Sequence, residues 1–209
     1  MNPYKHSEIS VKRWGGKIED YYSIHQLVDC TKEVCSDNRH RILHTHWGIQ
    51  RVIVPIVGDT IRNSDGKVVV IKDLCERDHI LPDFRNKFIP TLADFVDAID
   101  ENQITGWKAK IEAIHKTYQG RQEIESLLLS PLTITGRLKS LLLTHNSWFI
   151  NQIVRKIHNI DIQLRDYEIG IHEVFNNMRM MLWMDNGADL PESAKNINAT
   201  QVEMSRNLH

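Results

Sequence analysis

Cysteine is scarce in this chain: Cys30, Cys35 and Cys75 are an odd number, with no Cys-x-x-Cys spacing. That excludes a disulfide framework and reads as buried thiols in a reducing, cytoplasmic setting. An excess of either charge is also missing. Lys plus Arg (26) against Asp plus Glu (27) leaves a formal charge of -1, so no global basic footprint marks a nucleic-acid partner. Lys5, Lys12, Arg13 and Lys17 are the basic residues of the first segment, too few to change that. No apolar run reaches the ~20 residues of a membrane span, and Met1 to His6 has no leader-type apolar stretch. A membrane partner is therefore not expected. Gly15-Gly16 lacks Walker A spacing and a preceding strand, and reads as a turn anchored by Trp14. No internal repeat is visible in the sequence.

Histidine, in contrast, is abundant, with 11 residues. His40 and His44 stand at i and i+4, one above the other on any helix they share, a spacing that lets two imidazoles reach one cation. The expected helix begins at an N-cap on Ser36 or Asp37 and continues through the apolar run 52–57 to Gly58, kinked at Pro55. It carries His40, His44, Trp47 and Arg51 along one side, with His46 roughly 200° from His44. His25 and Asp29 repeat the i, i+4 geometry on a helix expected from Asp20 to about Cys35, whose apolar positions are Ile24, Val28, Thr31 and Cys35. Asp78-His79 follows on a short helix beginning at Asp73 and ended by Pro82. One such pair can arise by chance among so many histidines. Three groups in one short segment favour a metal site.

The remaining patterns give the architecture. Residues 60–71 hold two β-rich runs around Asn63-Ser64-Asp65-Gly66, a β-hairpin. Pro90 to Ile99 reads as a helix with a Thr91/Asp94 capping box. Beyond residue 100 the spacing predicts three long helices, Ile104–Leu129, Thr133–Ile157 and Ile160–Trp183, jointed at Pro131 and at 159–161. Their core stripes are Leu138, Leu141, Leu142, Ile150, Ile153 and Ile157, and then Val174, Phe175, Met178, Met181 and Leu182. His115, His145, His158 and His172 read as surface or partly buried residues. The fold class is mainly α: a helical, His-rich domain at 1–100 with one hairpin, a helical extension at 101–185 suited to homo-oligomer formation, and a flexible tail at 186–209.

The first hundred residues resemble a family of small, functionally uncharacterised bacterial and phage proteins. The shared words are His6-Ser7, Trp14-Gly15-Gly16-Lys17, Glu19-Asp20-Tyr21, Ile24-His25, Asp29, Lys32, Asp37, Arg39-His40-Arg41, Leu43-His44 and Gly48-Ile49. Asn63-Ser64-Asp65-Gly66-Lys67, His79, Asp83 and Ile89-Pro90-Thr91 continue the match. The resemblance implies that His25, His40, His44 and His79 belong together, and names no substrate. For a phage-encoded member, the compartment is the host cytoplasm. A looser similarity to HD-type metal-dependent phosphohydrolases, with the adjacent pair reversed as Asp78-His79, supplies a reaction class.

Two functions are expected from these residues. In the first, His40, His44 and His79 hold a divalent cation, Zn²⁺ or a similar borderline ion, with His25 or Asp29 as fourth ligand or orienter and one position left for water, in a hydrolase acting on a phosphate ester or nucleotide. Asp29 or Asp78 takes the proton from water, and Arg39, Arg41 and Arg51 face the small phosphorylated ligand, although Arg41 is offset and suited to a neighbouring carboxylate. In the second, the chain is a non-enzymatic interaction or assembly protein whose histidines close a structural metal site or a hydrogen-bonded core.

Overall fold

A computed structural model describes residues 1–160 and 169–195. The expected third helix in part (161–168) and the end of the tail (196–209) lie outside the described residues. The fold is mainly helical, with one two-stranded antiparallel hairpin among the described residues. Helix α1 (Pro3–Trp14) starts where Asn2 caps the Lys5 amide and Pro3 needs no amide partner, and ends on Gly15 at φ 81°. Helix α2 (Glu19–Val28) packs antiparallel-wise against it after the Gly15-Gly16 turn.

That turn is locked by the hairpin. Strands β1 (Thr60–Arg62) and β2 (Val68–Val70) pair Thr60 with Val70 and Arg62 with Val68, and Gly66 supplies the positive φ of 79°. The connection donates Ser64 N and Oγ to Asp20 Oδ2 at 3.0 and 2.8 Å, while Gly16 N donates to Asp65 Oδ2 at 2.6 Å. Gly16 sits at a φ of 76°, which favours glycine, and a Cβ there would displace the Asp20 carboxylate that accepts from Ser64.

Helix α2 stops at Val28, short of the expected Cys35, and a 3₁₀ turn (Cys30–Glu33) carries on. Ile24, Val28, Thr31 and Cys35 are all buried as their spacing requires. The segment with the paired histidines is also not one helix. Asp37 caps a 3₁₀ turn (Asn38–Leu43), and the chain then breaks at Thr45, which is extended at φ -137° and caps the next helix by accepting from Gly48 N at 3.0 Å. A π-helical stretch (Ile49–Ile53) leads to a last α turn (Val54–Val57). The same device recurs in an α turn (Ile71–Leu74), a π stretch (Cys75–Ile80) and a final turn (Leu81–Asp83). Pro55 and Pro82 both follow a π stretch. The wider turn offsets the preceding carbonyl that would otherwise meet the proline ring, so the helix continues through Pro82 where the sequence suggests a stop.

Helix α3 (Leu92–Ala98) has the expected Thr91/Asp94 capping box. Of the three long helices, none keeps its expected bounds. Gly120 (φ 85°) and Gly136 (φ 65°) divide the region into α4 (Trp107–Tyr118) and α5 (Gln122–Thr135), with Pro131 inside α5. A 3₁₀ turn (Leu138–Leu143), a π stretch (Phe149–Val154) and an α turn (Arg155–His158) follow, and after Gly170 only α6 (Ile171–Asn176) is helical before a bridge and a 3₁₀ turn (Leu182–Met184). Leu138, Met181 and Leu182, expected in core stripes, are exposed.

One hydrophobic core runs from Tyr21 to Met184, crossing residue 100 without interruption. Trp47 Nε1 donates to Ser130 Oγ at 2.8 Å and its ring stacks on Phe149 at 6.1 Å, while Trp183 meets Phe95 edge-on at 4.8 Å. Arg39 donates to the carbonyls of Phe175 and Met178, and Arg41 to that of Met184.

The two halves share a local pattern that the sequence conceals. His44 and His145 are both fully buried, and each precedes a capping residue, Thr45 or Asn146, that accepts from the amide three positions on. A tryptophan (Trp47, Trp148), a π stretch and an α turn follow, ending at a positive-φ residue, Gly58 or Asn159. His44/His145, Trp47/Trp148, Ile49/Ile150 and Ile56/Ile157 recur at one spacing, too sparse a match to stand out as a repeat in the sequence. His145 is thus a core residue, in contrast to its reading as surface or partly buried.

Candidate metal centre

Four elements of the first half of the chain meet at one buried centre. Helix α1 brings His6, the end of α2 brings Asp29, the 3₁₀ turn and its exit bring His40 and His44, and the helix of residues 71–83 brings His79 and Asp83. One ligand atom each from Asp29, His44, His79 and Asp83 lies within 4.8 Å of all the others, and all four residues are buried. His44 Nε2 and His79 Nε2 are 3.1 Å apart, and both stand 3.5 Å from Asp29 Oδ1. Asp83 Oδ2 is 3.3 Å from His44 Nε2. At the flanks, His40 Nε2 is 3.5 Å from Asp29 Oδ1 and His6 Nε2 is 3.3 Å from Asp83 Oδ1.

The partners on the outer side of these rings fix where their protons sit. His6 Nδ1 faces the Asp78 carbonyl oxygen at 2.8 Å and His40 Nδ1 faces the Asp37 carbonyl oxygen at 2.5 Å. A carbonyl oxygen can only accept, so in the neutral rings Nδ1 carries the proton and Nε2 a bare lone pair. For His79 a longer chain decides. Ser10 Oγ donates to Asp78 Oδ2 at 3.0 Å, so it must accept from His25 Nε2 at 2.9 Å. His25 Nδ1 is then an acceptor, and His79 Nδ1, 3.0 Å away, donates to it. The His79 Nε2 lone pair is left pointing at the centre. Three imidazole lone pairs therefore face two carboxylates that can only accept, and without a cation His44 Nε2, 3.1 Å from His79 Nε2, is the ring nitrogen left to donate there, while the Met1 ammonium donates to Asp83 Oδ1. His6 Nε2, Asp29 Oδ1, His40 Nε2, His44 Nδ1 and Asp83 Oδ2 have no hydrogen-bond partner among the described residues. A buried polar atom left so costs about 1–3 kcal/mol, and acceptors facing acceptors add repulsion. A divalent cation at the centre satisfies that arrangement, so the residues present fit one.

Burial by itself raises the Asp29 carboxyl, and an N–H from His40, His44 or His79 is what would hold it well below the usual range; where those rings turn lone pairs inward, a cation takes that place. Asp83 behaves alike, with His44 and His6 outweighing its burial. Burial lowers His40, lowers His79 strongly, and pushes His25 down to about 3. The carboxylates stay ionised and these imidazoles neutral, the protonation states a metal requires.

Of the residues singled out in the sequence, His44, His79 and Asp29 enter the four-donor group, and His40 stands beside it with its ring 5.7 Å from that of His44. Two others stand behind it. His25 orients His79, and Asp78 accepts from Arg13, Ser10 and Trp14, facing α1 rather than the centre. Asp83 and His6 join the site although neither was chosen as a ligand. Asp83 stands at i+4 from His79, a usable signal obscured by Pro82. Nothing local to His6 marks it. Arg39 and Arg41 are tied to the C-terminal half, Arg41 reaching Asp83 at 3.5 Å, and His46 turns outward to Glu76. Arg51 is exposed and lines other clefts.

Asp29 also lines a cavity of about 540 Å³ shared with Pro3, Cys30, Lys32, Glu33 and Lys156. The Cys30 thiol there is no nucleophile, because burial pushes its pKa up to about 12. Among the described residues no helix is long and apolar enough to cross a membrane.

No curated protein and no solved structure matches the chain. Residues 1–105 match the family model described as Domain of unknown function (DUF6915), a span that contains all six converging residues. The chain belongs to that family of unknown function.

Proposed function

We propose that the protein is a metal-dependent hydrolase acting on a phosphate ester or nucleotide, with Zn²⁺ or a similar borderline cation held by His44, His79, Asp83 and Asp29. The observation that carries this reading is the buried group of Asp29, His44, His79 and Asp83, whose ligand atoms lie within 4.8 Å of one another beside a cavity at Asp29, with the His79 lone pair turned inward. Such a cation supplies Lewis acidity and makes water a stronger acid, toward a pKa of ~7.

The chain's own residues do the rest. Asp29 Oδ1 faces the centre while Oδ2 accepts from Lys32 at 2.6 Å, so Asp29 ties the centre to the cavity wall. His40 Nε2 stands 3.5 Å from Asp29 Oδ1 with its lone pair inward and is the proton acceptor, its ring held by the Asp37 carbonyl. Ser10, His25 and Asp78 keep the His79 tautomer, and Arg41 steadies Asp83. The test is a screen of the Zn²⁺-loaded protein over phosphomonoesters, phosphodiesters and nucleotides, with His79→Ala as control. Turnover lost in the variant supports the reading, and no turnover on any of them counts against it.

One feature favours a second reading. All four donors are buried, and Met180, Met181 and Leu182 stay exposed, as in a homo-oligomeric assembly protein whose metal is structural. Bound metal without turnover, together with a dimer lost on Leu182→Asp, would select it.

A further inference from the structure

The cavity beside Asp29 has a composition that the metal site does not explain. Two lysines stand on its wall. Lys32 donates to Asp29 Oδ2 at 2.6 Å and to the Met1 carbonyl at 3.1 Å, which uses two of the three protons of its ammonium. Lys156 comes from the far half of the chain, is exposed, and pairs with no carboxylate among the described residues. Glu33, the other acid on this wall, accepts from Trp148 Nε1. Two lysines and two acids leave the wall without net charge, and Lys156 is its one cation with no carboxylate contact among the described residues, on the same cavity as the one metal donor that reaches it. Ser23 and Gln26 add polar side chains, and Pro3 and Leu27 add apolar surface. A volume of about 540 Å³ exceeds what a lone phosphate needs and falls in the ordinary range of small-molecule sites.

We infer that this cavity binds an organic phosphate the size of a mononucleotide, with its phosphate between Lys32 and Lys156 and its remaining part along Ser23, Gln26, Pro3 and Leu27. The inference rests on the hydrolase reading of the adjoining centre and adds who holds the substrate. Lys156 lies outside residues 1–105, so the family segment supplies the donors while the C-terminal half supplies a positioning residue for the ligand. Other members that share the first segment and differ after it would then differ in substrate.

The test is calorimetric titration of adenosine 5′-monophosphate and of inorganic phosphate into full-length wild type and Lys156→Gln, each with Zn²⁺ and after chelator treatment. A separate Zn²⁺ titration reads the metal centre on its own. Lys156 is exposed and its substitution should leave both the fold and the Zn²⁺ isotherm unchanged. The expected result is nucleotide binding at least tenfold tighter than phosphate binding, weakened at least tenfold by Lys156→Gln. Zn²⁺ bound normally with no nucleotide binding, or nucleotide binding indifferent to Lys156, overturns the inference and leaves the metal centre standing. Phosphate binding as tight as the nucleotide overturns the assigned size. If Zn²⁺ fails to bind, the metal reading falls, and the chelator-treated arm still decides the lysine grip by the same comparison.

Discussion

His79 Nδ1 lies 3.0 Å from His25 Nδ1, and this contact determines what His79 presents on its other side. Because His25 is held from behind by Ser10, and Ser10 by Asp78, the lone pair of His79 is turned inward before any ion arrives. Ser10→Ala removes the middle of that chain at a small, buried position. We expect metal affinity to fall ~10–100-fold with the fold retained, as for other partners that orient a ligand from behind. Competition with a chromophoric chelator measures it, and unchanged affinity would show that the chain of hydrogen bonds does not set the tautomer.

Gly48 is where the helix after Thr45 presses on the turn that carries His40 and His44. A Cβ there would lie 2.2 Å from the Leu43 carbonyl oxygen, and backbone cannot step aside as a side chain can. Gly48→Ala should destabilise the protein by about 3 kcal/mol, at the upper end for overpacking. Urea denaturation reads the loss, which a wild-type midpoint in the variant would contradict.

A cation that binds the folded chain and not the unfolded one stabilises the fold by mass action. Free Zn²⁺ at one hundred times its Kd should add ~2.7 kcal/mol. Thermal unfolding with Zn²⁺ and with excess chelator should therefore separate clearly in wild type and coincide in His44→Ala/His79→Ala. Equal Tm values in wild type under both conditions would be the contrary result.

Acid should weaken the core of the second half through His145. Burial pushes this imidazole down to about 4 from an ordinary 6.5, so the unfolded chain takes up the proton first as pH falls. The contribution of neutral His145 is complete above 6.5 and is lost between 6.5 and 4, at ~1.4 kcal/mol per pH unit. Urea denaturation of chelator-treated protein at pH 7 and pH 5 should show a smaller loss in His145→Leu than in wild type. Equal losses would mean that His145 titrates alike in both states.

Several residues of this cluster were legible in the sequence, though the fold brings them together by another route than their spacing implies. His40 and His44 do converge, yet they do so across a 3₁₀ turn and its exit, because Thr45 breaks the helix that the i, i+4 spacing assumed. The His25/Asp29 spacing found one donor and one orienting ring. Asp83 carried the same i+4 signal relative to His79, and Pro82 hid it, since only a π stretch lets the helix pass that proline. His6 reaches the site through the packing of α1, which no local pattern records. In the second half, Gly120 and Gly136 were the true helix ends, while the apolar spacing continued across them and suggested longer helices. The hairpin and the Thr91/Asp94 box depend on adjacent residues alone, and both formed as their residues dictate.

The central claim is that the converging lone pairs hold a metal ion. Elemental analysis of untagged wild type, compared with His44→Ala/His79→Ala at matched concentration, tests it most directly. The account predicts near-stoichiometric divalent metal in wild type and its loss in the double variant. A wild type that takes up no divalent metal even when supplied with it, or a double variant that retains its full complement, would contradict the account.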